Sequence, residues 1–117
     1  MSENKKTSAE KRTVPPRDSK KDARDSKKDD NFLKNWEKLS RSGKHDMKRL
    51  KEAMMLLIAN DAPLPPEWKD HPLKGELDGI RECHIKGDLL LVYQIRNKGE
   101  RELVVFLGAG THSEIFG

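Results

Sequence analysis

The sequence is poor in cysteine, in long apolar runs and in aromatic residues. Its 117 residues include a single cysteine, which excludes an internal disulfide framework and is typical of a reducing compartment. The longest apolar run, residues 53–59, has about a third of the length of a membrane-spanning helix. The N-terminus has no apolar stretch of the secretory type, so a cytoplasmic protein without a membrane partner is expected. With 5% aromatic residues, a sheet of RNA-stacking side chains is disfavoured.

Charge, in contrast, is abundant, with 38% charged residues and a formal net charge of +4. Residues 1–30 hold ten Lys or Arg, seven Asp or Glu and very few apolar side chains, which predicts a disordered tail before a domain at 31–117. Within the tail, RDSKKD at 17–22 recurs at 24–29, but the repeat offers no apolar positions for a coiled coil. Two interpretations of this tail remain open, a solvated linker and a phosphate-binding arm. Residues 11–14 also give a weak signal for a strand.

Helical periodicity starts immediately after the tail. A first helix is predicted from about Asp30 or Asn31, which are good N-caps, to the region of Gly43. A second helix is predicted from about His45 to Asn60, before a proline-rich segment that cannot continue it. The predicted apolar faces are Phe32, Trp36 and Leu39 in the first helix and Met47, Leu50, Met54, Leu57 and Ile58 in the second.

The second half of the chain has the pattern of β-strands. Runs rich in Val, Ile, Leu and Tyr at 80–85, 89–96 and 102–107 are separated by short glycine-containing gaps, which predicts an antiparallel meander. Residues 108–110 (GAG) are interpreted as a turn that ends the last strand. The predicted fold class is therefore α+β, with two N-terminal helices packed on one face of a small twisted antiparallel sheet.

Three histidines and one aspartate of the second half are candidates for chemistry. Strand alternation assigns Cys83 to the core face and His84 to the uncovered face. His71 lies in a predicted loop, His112 follows the last strand, and Asp88 lies in the hairpin turn after His84. These four polar residues, which are distant in sequence, are expected to converge at one edge of the sheet.

Several interpretations of these residues are open at this point. Each histidine taken alone is most simply a surface residue, and the spacings of twelve and twenty-seven intervening residues match no compact zinc pattern, so no metal is expected. Metal-free RNA cleavage would suit the set. In that reaction the ribose 2′-OH attacks the adjacent phosphate, which requires a base, an acid and a cation.

A resemblance to a known family narrows the choice. KDHPLKG at 69–75, GIRECHI at 79–85, LVY at 91–93 and GTHSEIF at 110–116 resemble, in order and spacing, the YafQ branch of the RelE-like toxins. The helical stretch 44–60 also looks like the second helix of that family, and the match covers about 32–117.

The resemblance implies a fold, an activity and partners. The fold would be that of a microbial ribonuclease, and the activity would be cleavage of mRNA in the ribosomal A site without a cofactor. A cognate antitoxin of the RelB or DinJ type would hold the toxin inactive. Family roles carried onto matching positions make His71, His84, Asp88 and His112 catalytic, and Phe116 and Arg81 substrate-binding. The assignment of base and acid and the codon preference stay open.

Three positions depart from the family pattern. Gly108 stands where the family usually has an arginine, four residues before the final histidine, and an arginine there would stabilise the extra charge on phosphorus. Leu89 replaces a tryptophan that is frequent after the aspartate. The charged tail stands where the family has a strand before its first helix. The alternative interpretation is therefore a weak or inactive member that binds antitoxin or ribosome without cutting.

Overall fold

The computed structural model describes residues 22–60, 64–73 and 79–117. The elements in these ranges are β1 (Asp25–Lys28), α1 (Asp30–Ser42), α2 (Met47–Ala59), a 3-10 turn (Pro66–Trp68), β2 (His71–Pro72), β3 (Ile80–Lys86), β4 (Leu89–Lys98), β5 (Arg101–Thr111) and α3 (His112–Phe116). The predicted α+β class is confirmed. No helix in the described ranges is long and apolar enough to cross a bilayer.

The five strands form one mixed sheet in the order β1-β5-β4-β3-β2. The β3–β4–β5 meander is antiparallel as predicted, but β1 runs parallel to β5, so the expectation of a purely antiparallel sheet is wrong. β1 lies within the segment expected to be a charged tail, and that expectation is wrong for residues 25–28. The strand at 11–14 that was left open falls outside the described residues.

Backbone pairing, and not apolar burial, holds β1 in place. Three of its four side chains are exposed, so the sequence carries no alternating apolar signal. The Arg24 main-chain N–H donates to the Ile58 carbonyl at 2.7 Å, and the Arg24 side chain meets Glu102 Oε1 at 2.9 Å. These contacts connect the beginning of β1 to α2 and to β5.

The two predicted helices are confirmed to within two residues at each end. Gly43 ends α1 in the left-handed conformation, with φ of 67°, as a C-terminal glycine stop requires. Asp46 caps α2 by accepting a hydrogen bond from the Arg49 main-chain N–H at 2.9 Å. The buried cluster between the helices and the sheet includes Phe32, Leu39, Leu50, Ala53, Leu57, Trp68, Cys83, Ile85, Leu91, Tyr93, Val104 and Phe106.

The last strand is longer than predicted. β5 continues through residues 108–110 to Thr111, so the interpretation of GAG as a terminating turn is wrong. Those residues are paired with Val92, Leu91 and Leu90 of β4, and this partner strand stabilises an extended conformation that the small residues alone did not predict. The longer strand carries His112 to the end of the sheet where the β3–β4 turn lies.

Candidate active site

Strand register brings His71, Glu82 and His84 together. His71 in β2 is the direct cross-strand partner of Glu82 in β3, and His84 follows Glu82 by two residues on the same face. His71 Nε2 lies 3.0 Å from Glu82 Oε2, and the two imidazole centroids are 6.0 Å apart. One ligand-type atom from each of the three side chains lies within 4.8 Å of the others. The predicted convergence therefore holds for His71 and His84.

Both nitrogens of the His71 ring have partners. Nδ1 lies 2.7 Å from the Lys69 carbonyl oxygen, which can only accept, so Nδ1 carries a proton. Lys69 presents this carbonyl from the left-handed conformation, with φ of 49°, which is uncommon for a residue with a side chain. Nε2 then faces Glu82 Oε2, which places an imidazole and a carboxyl group within hydrogen-bonding distance of each other. Both are groups that can take part in proton transfer.

Glu82 is buried to an unusual degree for a carboxylate, with 7% of its surface exposed. Within the described part of the chain, its Oε1 has no hydrogen-bond partner. A buried polar atom without a partner costs about 1–3 kcal/mol, and more when charged, so it is rare unless a function retains it. Strand alternation, which places His84 on the uncovered face, also places Glu82 there, but no role was predicted for it. The available signal was its position two residues before His84 in the same strand.

A hydrogen-bonded triad on the opposite face of β3 positions the His71 loop. The Tyr93 hydroxyl donates to Asp70 Oδ1 at 2.5 Å, and Arg81 Nε donates to Asp70 at 3.3 Å and to the Tyr93 oxygen at 3.2 Å. Burial and the hydrogen bond to Asp70 raise the pKa of Tyr93, which keeps the hydroxyl protonated as a donor. The structure does not bring Arg81 to the His71 cluster, because Arg81 alternates with Glu82 along the strand.

Cys83 takes no part in the site. Its side chain is fully buried in the core, as predicted, and burial raises the pKa of its thiol to about 12. The thiolate form that nucleophiles and metal ligands require is therefore disfavoured at neutral pH.

His112 and Phe116 lie together on α3. Their ring centroids are 4.9 Å apart, and both side chains are exposed. Thr111 and Glu114 form a capping box at the start of α3, and the hydrogen bond from the Thr111 backbone lowers the pKa of Glu114. The capping box fixes the direction in which α3 leaves β5, and with it the position of both rings.

His112 and the His71 cluster lie at the same end of the sheet but on different strands. His84 pairs with Leu90, and Leu90 pairs with Gly110, two residues before His112. The row from His84 to Gly110 spans two strand spacings, about 10 Å, and His112 lies two residues beyond it on the far side of β4 from His84. A phosphate bound in the gap over β4 between the two histidines would have a proton-transfer group on each side.

Asp88 is exposed in the β3–β4 turn beside this gap. Among residues 22–60, 64–73 and 79–117, no hydrogen bond or ion pair connects Asp88 to the histidines.

A Cβ added to Gly108 would lie 3.2 Å from Asn35 Oδ1 and 3.5 Å from Asn31 Nδ2 of α1. Amide groups of α1 therefore border Gly108.

A helical layer over a small twisted sheet, with histidines gathered at one end of the strands, defines the class of RelE-like bacterial toxins. Residues 24–117 match the family described as "Bacterial toxin of type II toxin-antitoxin system, YafQ". The match covers most of the chain, and the chain belongs to this family.

Individual relatives agree with this assignment. The mRNA interferase toxin YafQ of Escherichia coli strain K12 is 42% identical over 80 residues, which are 68% of this chain and 83% of that protein. A chain in the crystal structure of the E. coli DinJ-YafQ complex has a TM-score of 0.70 at 39% identity, covering 80% of this chain and 99% of that one. A metal-bound toxin from Helicobacter pylori has a TM-score of 0.68 at 41% identity, covering 79% and 98%.

Proposed function

We propose that this chain is a ribosome-dependent mRNA endoribonuclease whose active site is formed by His71, Glu82, His84, Asp88 and His112. The observation that carries the proposal is the His71–Glu82 pair, an imidazole and a carboxyl group 3.0 Å apart, beside His84 on the open face of β3. The name of the E. coli relative, mRNA interferase toxin, supports RNA as the substrate.

The proposed reaction needs no group from outside the chain. A base removes the proton of the ribose 2′-OH, the oxygen attacks the neighbouring phosphorus, and an acid protonates the departing 5′-oxygen. Attack and departure occur on opposite sides of phosphorus, so base and acid must also stand on opposite sides. The His71–Glu82–His84 cluster supplies one side and His112 the other, while Phe116 stacks on a base of the substrate.

Gly108 stands where the family pattern has an arginine, so the cation that stabilises the phosphate has to come from another residue of this site. Lys69 and Lys86 line a cleft that also includes His84, and their ammonium groups are candidates to stabilise charge on the phosphate. A lysine is a point charge and lacks the bidentate geometry of an arginine, so a lower rate than that of an arginine-containing relative is expected. The second candidate function, a weak or inactive toxin that binds without cutting, rests on the same glycine.

The proposed partners are a DinJ-like antitoxin, the ribosomal A site and mRNA, all in the cytoplasm. The similarity to a YafQ chain solved together with DinJ supports the antitoxin. The tail prediction falls mostly on residues 1–21, which lie outside the described residues, and we propose that the excess of lysine and arginine there adds non-specific attraction to ribosomal RNA.

A transition metal is a competitor for the same side chains. His71, Glu82 and His84 fit a site for Zn²⁺ or Cu²⁺, because two imidazoles and a carboxylate are suitable donors, and a similar toxin was solved with metal bound. Such an ion would act as a Lewis acid but would occupy the imidazole lone pairs that acid–base chemistry needs. We therefore expect added Zn²⁺ to inhibit cleavage and a chelator to restore it.

Induction of the protein in cells, followed by mapping of mRNA 5′ ends, tests the proposal. His84→Ala and His112→Ala should each reduce cleavage by about 10²–10⁴-fold, the usual contribution of a proton-transfer group. His45→Ala removes a histidine at the start of α2 and serves as the matched control, with cleavage unchanged. Co-expression of the neighbouring antitoxin should abolish cleavage by the unaltered protein. Equal cleavage by all variants would refute the assignment.

A further inference from the structure

The cleft lined by Lys69, Lys86 and His84 adjoins the His71–Glu82–His84 cluster. It has a volume of about 530 Å³ and lies between the start of α2, the 3-10 turn and the β3–β4 turn. His84 belongs to its wall, so a group bound there lies next to the reacting phosphate. The charged residues of its wall are Asp46, Arg49, Glu67, Lys69 and Lys86.

The Arg49 guanidinium is held in one orientation by three contacts. Its carbon lies 4.0 Å from the centroid of the Trp68 ring, so one face of the guanidinium covers a buried indole. In its plane, Nε donates to the Ile85 carbonyl at 2.5 Å, and a terminal nitrogen donates to Glu67 Oε2 at 3.3 Å. The side chain is 30% exposed, and it lines the cleft.

A planar cation fixed on an aromatic ring is a stacking surface for a nucleobase. Unpaired RNA bases bind on guanidinium planes as well as on aromatic rings, and fixing the plane beforehand removes the ordering cost. The cleft also has a small excess of positive charge, three cations against two carboxylates, which favours a ligand with a phosphate backbone.

We propose that this cleft binds a nucleotide of single-stranded RNA adjacent to the scissile bond. Its base stacks on Arg49, and its phosphates contact Lys69 and Lys86. Lys86 suits that role because its side chain is 72% exposed, and its ion pair with Asp46, at 3.9 Å, is of the weak surface kind that a phosphate can displace. The inference rests on the proposed function for the identity of the ligand, but it requires binding only.

The test measures binding of two RNA hexamers that cannot be cleaved. One is hexa-adenylate with 2′-O-methyl riboses, and the other has the same backbone without bases. Arg49→Lys keeps the charge and removes the plane, so it should weaken binding of hexa-adenylate by about tenfold and leave the abasic hexamer unaffected. Lys86→Gln should weaken both hexamers equally and reduce the salt dependence of binding. Lys98→Gln, at the far end of β4, is the matched control and should change neither.

Two outcomes would overturn the inference. The first is an equal penalty for removing the bases in the unaltered protein and in Arg49→Lys. The second is independent of whether that variant folds: in the unaltered protein, the Arg49 Nε–H resonance should shift on titration with hexa-adenylate and not with the abasic hexamer, and an unshifted resonance refutes stacking. Absence of mRNA cleavage together with base-dependent binding at Arg49 would refute the proposed function and leave this inference standing.

Discussion

Replacing Glu82 with glutamine should change activity and stability in opposite directions. The side chain keeps its shape, but the negative charge is lost from a buried position where Oε1 has no partner. The amide that replaces the carboxylate still places a polar atom at this position, but a buried neutral group without a partner costs about 1–3 kcal/mol whereas a charged one costs more. The ion pair with His71, whose side chain is 45% exposed, contributes only about 0–1 kcal/mol. Glu82→Gln should therefore be more stable by about 1 kcal/mol.

That gain corresponds to a rise in Tm of about 4–8 °C for a domain of this size, which calorimetry resolves easily. Cleavage should fall by at least 10²-fold, because an amide cannot share a proton with His71. Single-turnover cleavage of ribosome-bound mRNA measures this fall.

The matched control is Glu102→Gln, which removes a carboxylate that does have partners. Glu102 Oε1 lies 2.9 Å from Arg24 Nε and 3.5 Å from Asn60 Nδ2, on β5, which is three strands away from β2. This variant should lose about 1 kcal/mol and retain full cleavage. A clear loss of stability in Glu82→Gln would contradict the argument, since it would show that the carboxylate is needed to hold β2 against β3.

Three further predictions concern neighbouring residues. The φ of Gly108 lies outside the left-handed region, so Gly108→Arg should fold with a small shift of Asn35. It should increase single-turnover cleavage on the order of tenfold or more. A folded variant with an unchanged rate would mean that the phosphate already has its cation. Tyr93→Phe removes the hydrogen-bond donor to Asp70, so the free energy of unfolding measured in urea should fall by about 1.5–3 kcal/mol and the cleavage rate should fall as well. A stable, fully active variant would show that the His71 loop is positioned by other contacts. Burial holds the Cys83 thiol protonated up to about pH 12, whereas the unfolded chain loses this proton near pH 9, so the free energy of unfolding should fall as pH rises between these values. The part of this fall that is due to the thiol should disappear in Cys83→Ala. Identical pH profiles of the two proteins would exclude a contribution from this thiol.

The sequence by itself determined the helices, the meander and the two histidines of β2 and β3. Apolar residues at helical spacing place Phe32 and Leu39 in the core whatever they pack against, since the hydrophobic effect depends on area and not on direction. Strand alternation likewise put Cys83 inside and His84 outside, because successive side chains of a strand point to opposite faces.

Only the tertiary structure decided how the strands pair. β1 has exposed side chains and owes its conformation to hydrogen bonds with β5, so residues 25–28 read as a charged tail until that partner is present. Register is what sets Glu82 opposite His71, and a slip of one residue in β2 would turn His71 to the other face. The tertiary structure likewise brings together the Asp70–Arg81–Tyr93 triad, because its members come from three segments of the chain. Sequence periodicity indicates on which face of a helix or strand a side chain lies. Hydrogen bonding between strands that are distant in sequence determines which side chains lie beside it.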